Sequence, residues 1–240
     1  MRNARYLECG LDHRITEWVG IVLSALLMTA VLVMTLTGRP WEGHRLALLL
    51  GLVIGLIIGD LGSGALHWTF DTWFKPGQPA FERAVLIARE HHTDPRLILE
   101  YPFRDYVSFA AWPTIVLFGP IAITGLALDS GALRSGVLAT SSVVLPAMFF
   151  GTHFHALGHH WSSIAPIRWL QWRGLVMSPR HHRLHHNGIH TSHYCTFVGF
   201  MNPVCDRLRC WRMLEYVVSS LTGAEARQDD HRRASDIARA

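Results

Sequence analysis

Eight histidines at short spacings carry the first sign of chemistry in this chain. His67 stands alone, His91 and His92 are adjacent, His155 and His159 are four apart, and His182, His185 and His186 fall three and four apart. Residues three or four apart on a helix share one face, so the last two groups can each present several imidazoles in one direction. Adjacent His91 and His92 would point about 100° apart if helical, and two metals lying between elements could each take one of them. Imidazole suits iron, copper and zinc. Eight imidazoles exceed the ligand set of a single ion, so the pattern predicts a two-metal site and oxidative chemistry.

Two carboxylates lie close in sequence to these groups. Asp71 is four residues after His67, and Glu90 precedes His91. Both are placed to orient ligand imidazoles from behind, and Glu90 could also bind metal itself. His190 is a candidate ninth ligand or supporting donor, with His181 and His193 less clear. The run from His181 to His193 also has the composition of a metal-scavenging tract. Convergence of four separate clusters on one side of the chain, derived below, argues against that reading. His13, His44, His153, His160 and His231 need no catalytic role.

The elements that must position these residues are membrane helices. Half of the 240 residues are apolar, and the mean hydropathy is +0.20. Four runs are long enough to cross about 30 Å of hydrocarbon at about 1.5 Å per residue. They fall near residues 18–38, 46–66, 106–128 and 136–154. Short turns at 38–43 and 129–131 join them into two helical hairpins. Gly51, Gly55 and Gly59 form one small-residue stripe, which permits close helix packing, within the chain or along a homodimer seam. The first apolar run lacks a signal-peptide cleavage pattern and reads as a span.

Charge orients the spans. The N-terminus carries three arginines (Arg2, Arg5, Arg14), the loop 67–105 carries five basic residues, and the chain after His155 carries eleven; the two short turns carry Arg39, Arg45 and Arg134. The heavily basic side is cytoplasmic by the positive-inside rule. With four spans, both termini and all eight histidines lie on that side. The expected fold is therefore all-α: a four-helix transmembrane protein with a cytoplasmic, histidine-rich helical cap.

A net charge of +4 and a pI near 9.1 on a membrane chain suit anionic lipid rather than nucleic acid. No alternation of basic and aromatic side chains suited to stacking bases is present. Four cysteines, none in a C-x-x-C pair, exclude a zinc ribbon or a thioredoxin-like site and read as free thiols. The stretch from Trp161 to Met177 holds Trp161, Arg168, Trp169, Trp172 and Arg173, a composition that belongs in the lipid headgroup layer.

The motifs around the histidines resemble those of the plasmanylethanolamine desaturase family of lipid desaturases. Asp60-Leu-Gly-Ser-Gly-Ala-Leu-His67-Trp-Thr-Phe-Asp71-Thr-Trp73 is similar to its D-x-x-S-G-x-x-H-W-x-x-D-T-W signature. Arg89-Glu-His91-His92-Thr-Asp94-Pro95 is similar to R-E-H-H-x-D-P. His155-x-x-x-His159 resembles H-x-x-S-H, with Gly158 where serine is usual. Pro179-Arg180-His181-His182-Arg183-Leu184-His185-His186 resembles P-x-x-H-H-x-x-H-H. The stretch His190 to Cys195 fits less well, because His193 replaces an aromatic residue. Gly199 to Asn202 and Trp211 to Glu215 also agree, so the likeness runs from about Asp60 to Glu215.

The resemblance implies a membrane enzyme with two iron ions held by His67, His91, His92, His155, His159, His182, His185 and His186, with Asp71 supporting them. It implies O2 as co-substrate and an external electron donor, a cytochrome b5- or ferredoxin-like carrier with its reductase, since no haem-binding domain is visible. The implied reaction places a vinyl-ether double bond in the 1-O-alkyl chain of plasmanylethanolamine. Relatives of plant plastids that desaturate an acyl chain keep acyl-lipid desaturation open, and hydroxylation by the same histidines is a further alternative. A non-enzymatic metal carrier or haem protein would need polar residues inside the spans, and these hold few. The expected organisation is an N-terminal cytoplasmic segment (1–17), an integral membrane lipid desaturase domain (18–220, its catalytic cap from 67–105 and 155–215) and a polar tail (221–240). Arginine bias and the lack of an organelle signal point to a bacterial inner membrane.

Overall fold

The computed structural model describes residues 11–37, 43–75, 82–187 and 190–226, apart from the side chains of 11–13 and 82. Most of the first interhelical turn, both chain ends, Cys9 and His231 lie outside the described residues, as does the side chain of His13. Ten α-helices and no strands occur among the described residues: α1 Leu11–Thr37, α2 Arg45–Thr72, α3 Glu82–Thr93, α4 Phe103–Ala127, α5 Ala132–Phe149, α6 Gly151–Leu157, α7 Ala165–Trp172, α8 Pro179–His186, α9 Asn202–Arg207 and α10 Cys210–Thr222. Four of them have the length and apolarity to cross a membrane, at Arg14–Thr37, Arg45–Thr72, Phe103–Ala127 and Ala132–Phe149.

Several boundaries differ from those expected: α1 begins at Leu11 rather than near 18 and α5 at Ala132 rather than 136, and two further differences bear on the site. The second spanning helix runs past residue 66 to Thr72, which puts His67 inside the helix rather than at its end. The fourth stops at Phe149 instead of continuing to 154. Pro146 lacks an N–H and loosens the ladder there, and the short α6 restarts the chain at Gly151.

The chain divides into two compact units, one within Glu8–Gly62 and Pro102–His153, the other holding Ser63–Tyr101 and the chain from Phe154 onward. In the first unit α1, α4 and α5 pack against each other. Val31, Ala122, Leu138 and Leu145 form a buried core flanked by Leu27, Met28 and Phe118. The same helices expose Leu26 (61%), Val116 (65%) and Leu133 (67%). Outward leucines and valines on this scale would be costly in water and are what a lipid-facing surface requires. The small-residue stripe is used within the chain. A methyl group at Gly51 would run into the Gly136 carbonyl, and one at Gly55 would meet the Thr140 carbonyl at 2.9 Å; Thr140 Oγ1 also donates to the Gly51 carbonyl at 3.0 Å. These glycines seat α5.

Candidate metal centre

All of the site lies in the second unit, and the end of α2 opens it. Residues 63, 67 and 71 are four apart, and 64 and 68 lie three or four from them, so the five form one stripe on that helix. Each has a distinct task. Ser63 Oγ accepts from the backbone N–H groups of Thr196 and Phe197 at 3.0 and 3.1 Å. Gly64 leaves room for Cys195 and Trp211, whose atoms would lie within 3.0 Å of any Cβ there. Trp68 Nε1 donates to Glu215 Oε1 at 3.3 Å. His67 and Asp71 point into the site.

His91 and His92 were expected in a loop, and this is corrected: they occupy the last turn of α3. Their segment, Glu82 to Thr93, is rich in alanine, leucine, arginine and glutamate, which are strong helix formers. His155 lies on α6, and His159 follows in the turn after it. That turn is held by Gln171, which is buried on α7. Its side chain donates to the carbonyls of Leu157 and His160 at 2.8 and 3.0 Å and accepts from the Ser162 N–H at 2.9 Å. His182, His185 and His186 lie on α8, which Pro179 starts and Ser178 caps through its side chain.

These elements bring nine donors into two groups. In the first, donor atoms of His91, His155, His159, His182 and His186 lie within 4.8 Å of one another; in the second, those of His67, Asp71, His92 and His185 do so. The adjacent pair is thus split, His91 to one group and His92 to the other. The α8 trio is split too, although its spacing alone suggested one shared target. Within the first group His182 Nε2 is 3.0 Å from the Nε2 of both His159 and His186. In the second, Asp71 Oδ2 lies 3.1 Å from His67 Nε2 and 3.4 Å from the Nε2 of both His92 and His185.

The imidazoles are aimed by the backbone. His67 Nδ1 is 3.0 Å from the Tyr194 carbonyl, His91 Nδ1 is 3.1 Å from the Ile87 carbonyl, and His185 Nδ1 is 2.8 Å from the Ser192 carbonyl. A carbonyl only accepts, so each Nδ1 must carry the proton, and each Nε2 presents a lone pair to the cluster. Burial pushes the titration of His91, His155, His182 and His186 well below the ordinary imidazole range, and neighbouring imidazoles push it further. His159 and His185 are each pushed down to about 3 by the same burial and crowding. Neutral imidazole is the metal-binding form.

The donor set fits metal on a further ground. Among the described residues, Nε2 of His67, His91 and His155 and both carboxylate oxygens of Asp71 are buried without a hydrogen-bond partner. Orphaned buried polar atoms are costly, and five of them converging on two points call for cations. The Asp71 carboxylate was expected behind the imidazoles; its Oδ2 lies within 3.4 Å of three Nε2 atoms, a position from which it could also hold a metal itself.

Other candidates are placed elsewhere. Glu90 accepts from the Tyr101 hydroxyl at 2.8 Å and belongs to neither donor group. His190 also lies outside both; it stacks on His92 with ring centroids 4.2 Å apart. His181 faces Asn202 Nδ2 at 3.3 Å, and His193 Nδ1 pairs with Asp206 Oδ2 at 2.9 Å.

Sequence reasoning gave no role to Tyr194, Gln171 or Asn202. Tyr194 packs its ring 5.5 Å from His67 and 5.2 Å from His185 and donates its hydroxyl to the His190 carbonyl at 2.7 Å. Asn202, fully buried, accepts from the Cys195 N–H at 2.8 Å and donates to the Cys195 carbonyl at 2.9 Å. The motif agreement at Asn202 was the one signal that could have flagged it.

A family model described as a lipid desaturase domain matches residues 56–229, a range that includes every donor. The chain is 31% identical over 235 residues to a plasmanylethanolamine desaturase of Myxococcus xanthus, covering 95% of this chain and 81% of that protein. It is 29% identical over 230 residues to plasmanylethanolamine desaturase 1 of Mus musculus, covering 93% and 84%. Fatty acid desaturase 4-like 2, chloroplastic, of Arabidopsis thaliana is 30% identical over 175 residues, 72% of this chain and 60% of that protein. No solved structure matches the chain.

Proposed function

The chain belongs to the lipid desaturase family and is a membrane lipid desaturase; on that footing we propose that it forms the vinyl-ether double bond of a plasmalogen from the 1-O-alkyl chain of plasmanylethanolamine. The observation that carries the reading is the pair of adjoining donor groups, five histidines in one and three histidines with Asp71 in the other. Two iron ions held there would supply the O2-dependent oxidation that breaks two unactivated C–H bonds. The lipid gives up two hydrogens. O2 takes four electrons, two from the lipid and two from a cytochrome b5- or ferredoxin-like donor, and four protons, two from the lipid and two from solvent, and leaves as two waters.

The chain's own residues then have defined work. Tyr194, Ile87 and Ser192 carbonyls fix three imidazoles as Nε2 donors. Burial favours the neutral form of His91, His155, His159, His182, His185 and His186 and excludes water. Asp71 supplies the only carboxylate in either donor group. We further assign residues 18–220 as the desaturase domain, with 1–17 and 221–240 outside it. The basic loop and tail support a cytoplasmic side for the donors and for the docking face of an acidic electron carrier, and we infer a bacterial inner membrane as the setting.

The named plasmanylethanolamine desaturases align over nearly the whole chain, the chloroplast relative over 72%, which favours the ether substrate over an acyl one. The test is lipid mass spectrometry of cells that express the chain and are supplied with alkyl-ether phospholipid. Acid-labile species two hydrogens lighter, absent when His185 and His186 are both replaced by alanine, are expected. Products one oxygen heavier would make the enzyme a hydroxylase. A mass loss confined to acyl chains would make it an acyl-lipid desaturase.

A further inference from the structure

The tryptophan- and arginine-rich stretch after His159 forms a groove that the donor groups leave unused. It has a volume of about 500 Å³ and is lined by Trp161, Ala165, Arg168, Trp169, Trp172 and Arg180. Trp169 and Trp172 are more than half exposed, and Arg168 and Arg180 are exposed as well. Arg173 stacks on both of these tryptophans, 5.6 and 5.1 Å from their rings. The lining holds two guanidinium groups and no carboxylate, and no acidic residue occurs in the sequence between Asp129 and Asp206. A wall of tryptophan with paired arginines takes an amphipathic anion, with its apolar part on the rings and its charge on the guanidiniums.

We propose that this groove binds the phosphodiester of the phospholipid substrate, with Arg180 and Arg168 as its ligands. The proposal rests on the lipid reading above and adds to it where the headgroup sits. Arg180 and His182 share α8, two residues apart and about 3 Å along its axis. In an alkyl-ether phospholipid, six bonds of about 1.5 Å join the phosphorus to the first carbon of the alkyl chain. A desaturase acting on that carbon must hold the phosphate beside its oxidising centre. One acting in the middle of a chain has no such need. Two residues apart on a helix, their side chains lie on opposite faces, so Arg180 reaches outward from the same short helix that carries His182, His185 and His186; a phosphate held there is tied to the element that bears three of the donors, and bidentate guanidinium–phosphate pairing would also fix the register of the chain.

The test uses the full-length chain in detergent, with tryptophan fluorescence as the readout. The probes are a short-chain alkyl-ether phosphoethanolamine lipid and the matching alkylglycerol, which has no phosphate. Arg168→Gln/Arg180→Gln should weaken binding of the phospholipid about ten-fold or more and leave alkylglycerol binding unchanged. An unchanged phospholipid affinity overturns the proposal. So does an equal loss for both lipids, since the arginines would then only shape the surface. A wild-type chain that binds neither probe refutes the lipid reading itself and this site with it, whereas wild-type binding of both with no effect of the double variant refutes the site alone.

Discussion

Replacing Asn202 should break the site without touching a donor. Its side chain makes two buried hydrogen bonds to the backbone of Cys195, at 2.8 and 2.9 Å, and the neighbouring Tyr194 carbonyl is what faces His67 Nδ1. Asn202→Leu removes both bonds and puts an apolar branch against a backbone amide. Each bond contributes about 1 kcal/mol net, and each buried group that loses its partner costs about 1–3 kcal/mol, so a loss of about 4 kcal/mol follows. For a chain of this size that lowers the melting temperature by roughly 10 °C. Asn202→Asp should fail by a comparable amount, because it keeps one acceptor but turns the donor toward Cys195 into a carboxylate oxygen facing a carbonyl. The assay is thermal unfolding of the purified protein, paired with metal content. If both variants melt within 2 °C of wild type, to be set against the roughly 10 °C expected, and keep full metal, the clamp does not hold His67 and the reasoning is wrong.

Asp71→Asn should lower metal content by about half and product by far more than the 10–100-fold typical of a residue that only orients a ligand; full metal content in the purified variant would return Asp71 to a supporting place. Gly51→Val should drive into Gly136 and Thr140 of α5, expel that helix from its seat on α2 and reduce the folded yield in membranes, whereas wild-type yield and melting would show that α5 does not rest on this stripe. Acid should destabilise the metal-free fold. His91, His155, His159, His182, His185 and His186 titrate below their ordinary value when folded, so between about pH 6.5 and 3 the unfolded chain binds more protons, and stability present at pH 7.5 is lost as pH falls. At pH 5 the loss reaches up to about 2 kcal/mol for each such histidine; a melting temperature for chelated protein that holds or rises from pH 7.5 to 5 would contradict this.

Much of this arrangement was legible because helical periodicity is regular. Apolar runs of spanning length mark α1, α2, α4 and α5, with ends that miss by up to about seven residues. The intervals within 155–159 and 182–186 bring those histidines close in space. What spacing could not give is the partition. His185 leaves its neighbours for the group of His67, and His91 and His92 part company, because helix direction across the cluster decides which imidazole meets which. The position of Asp71 Oδ2 depends on α2 continuing to Thr72, beyond the end its hydropathy suggested. The segment 190–197 was harder still to read. It forms no helix or strand among its described residues, yet its carbonyls at Ser192 and Tyr194 orient two histidines. Those carbonyls have no signature in the sequence, since any residue type supplies one.

That use of backbone explains a feature of the composition. Histidine ligands are commonly oriented by a carboxylate on the far ring nitrogen, and a site with eight of them could have carried several. Among the described residues His67, His91 and His185 rely on main-chain carbonyls instead, and the sequence has no acidic residue between Asp129 and Asp206. A carbonyl fixes the same tautomer without adding a buried charge, whose desolvation costs several kcal/mol. Asp71 is then the one anion in the cluster, set between three Nε2 atoms where its charge can meet a cation directly. By the same economy the segment carrying Arg168, Arg173, Arg180 and Arg183 stays uniformly cationic on its outer side. A carboxylate there would compete for the guanidiniums with any phosphate that approached. The scarcity of acid in this half of the chain thus adds no second buried charge to the donor cluster and leaves the outer groove open to an anion.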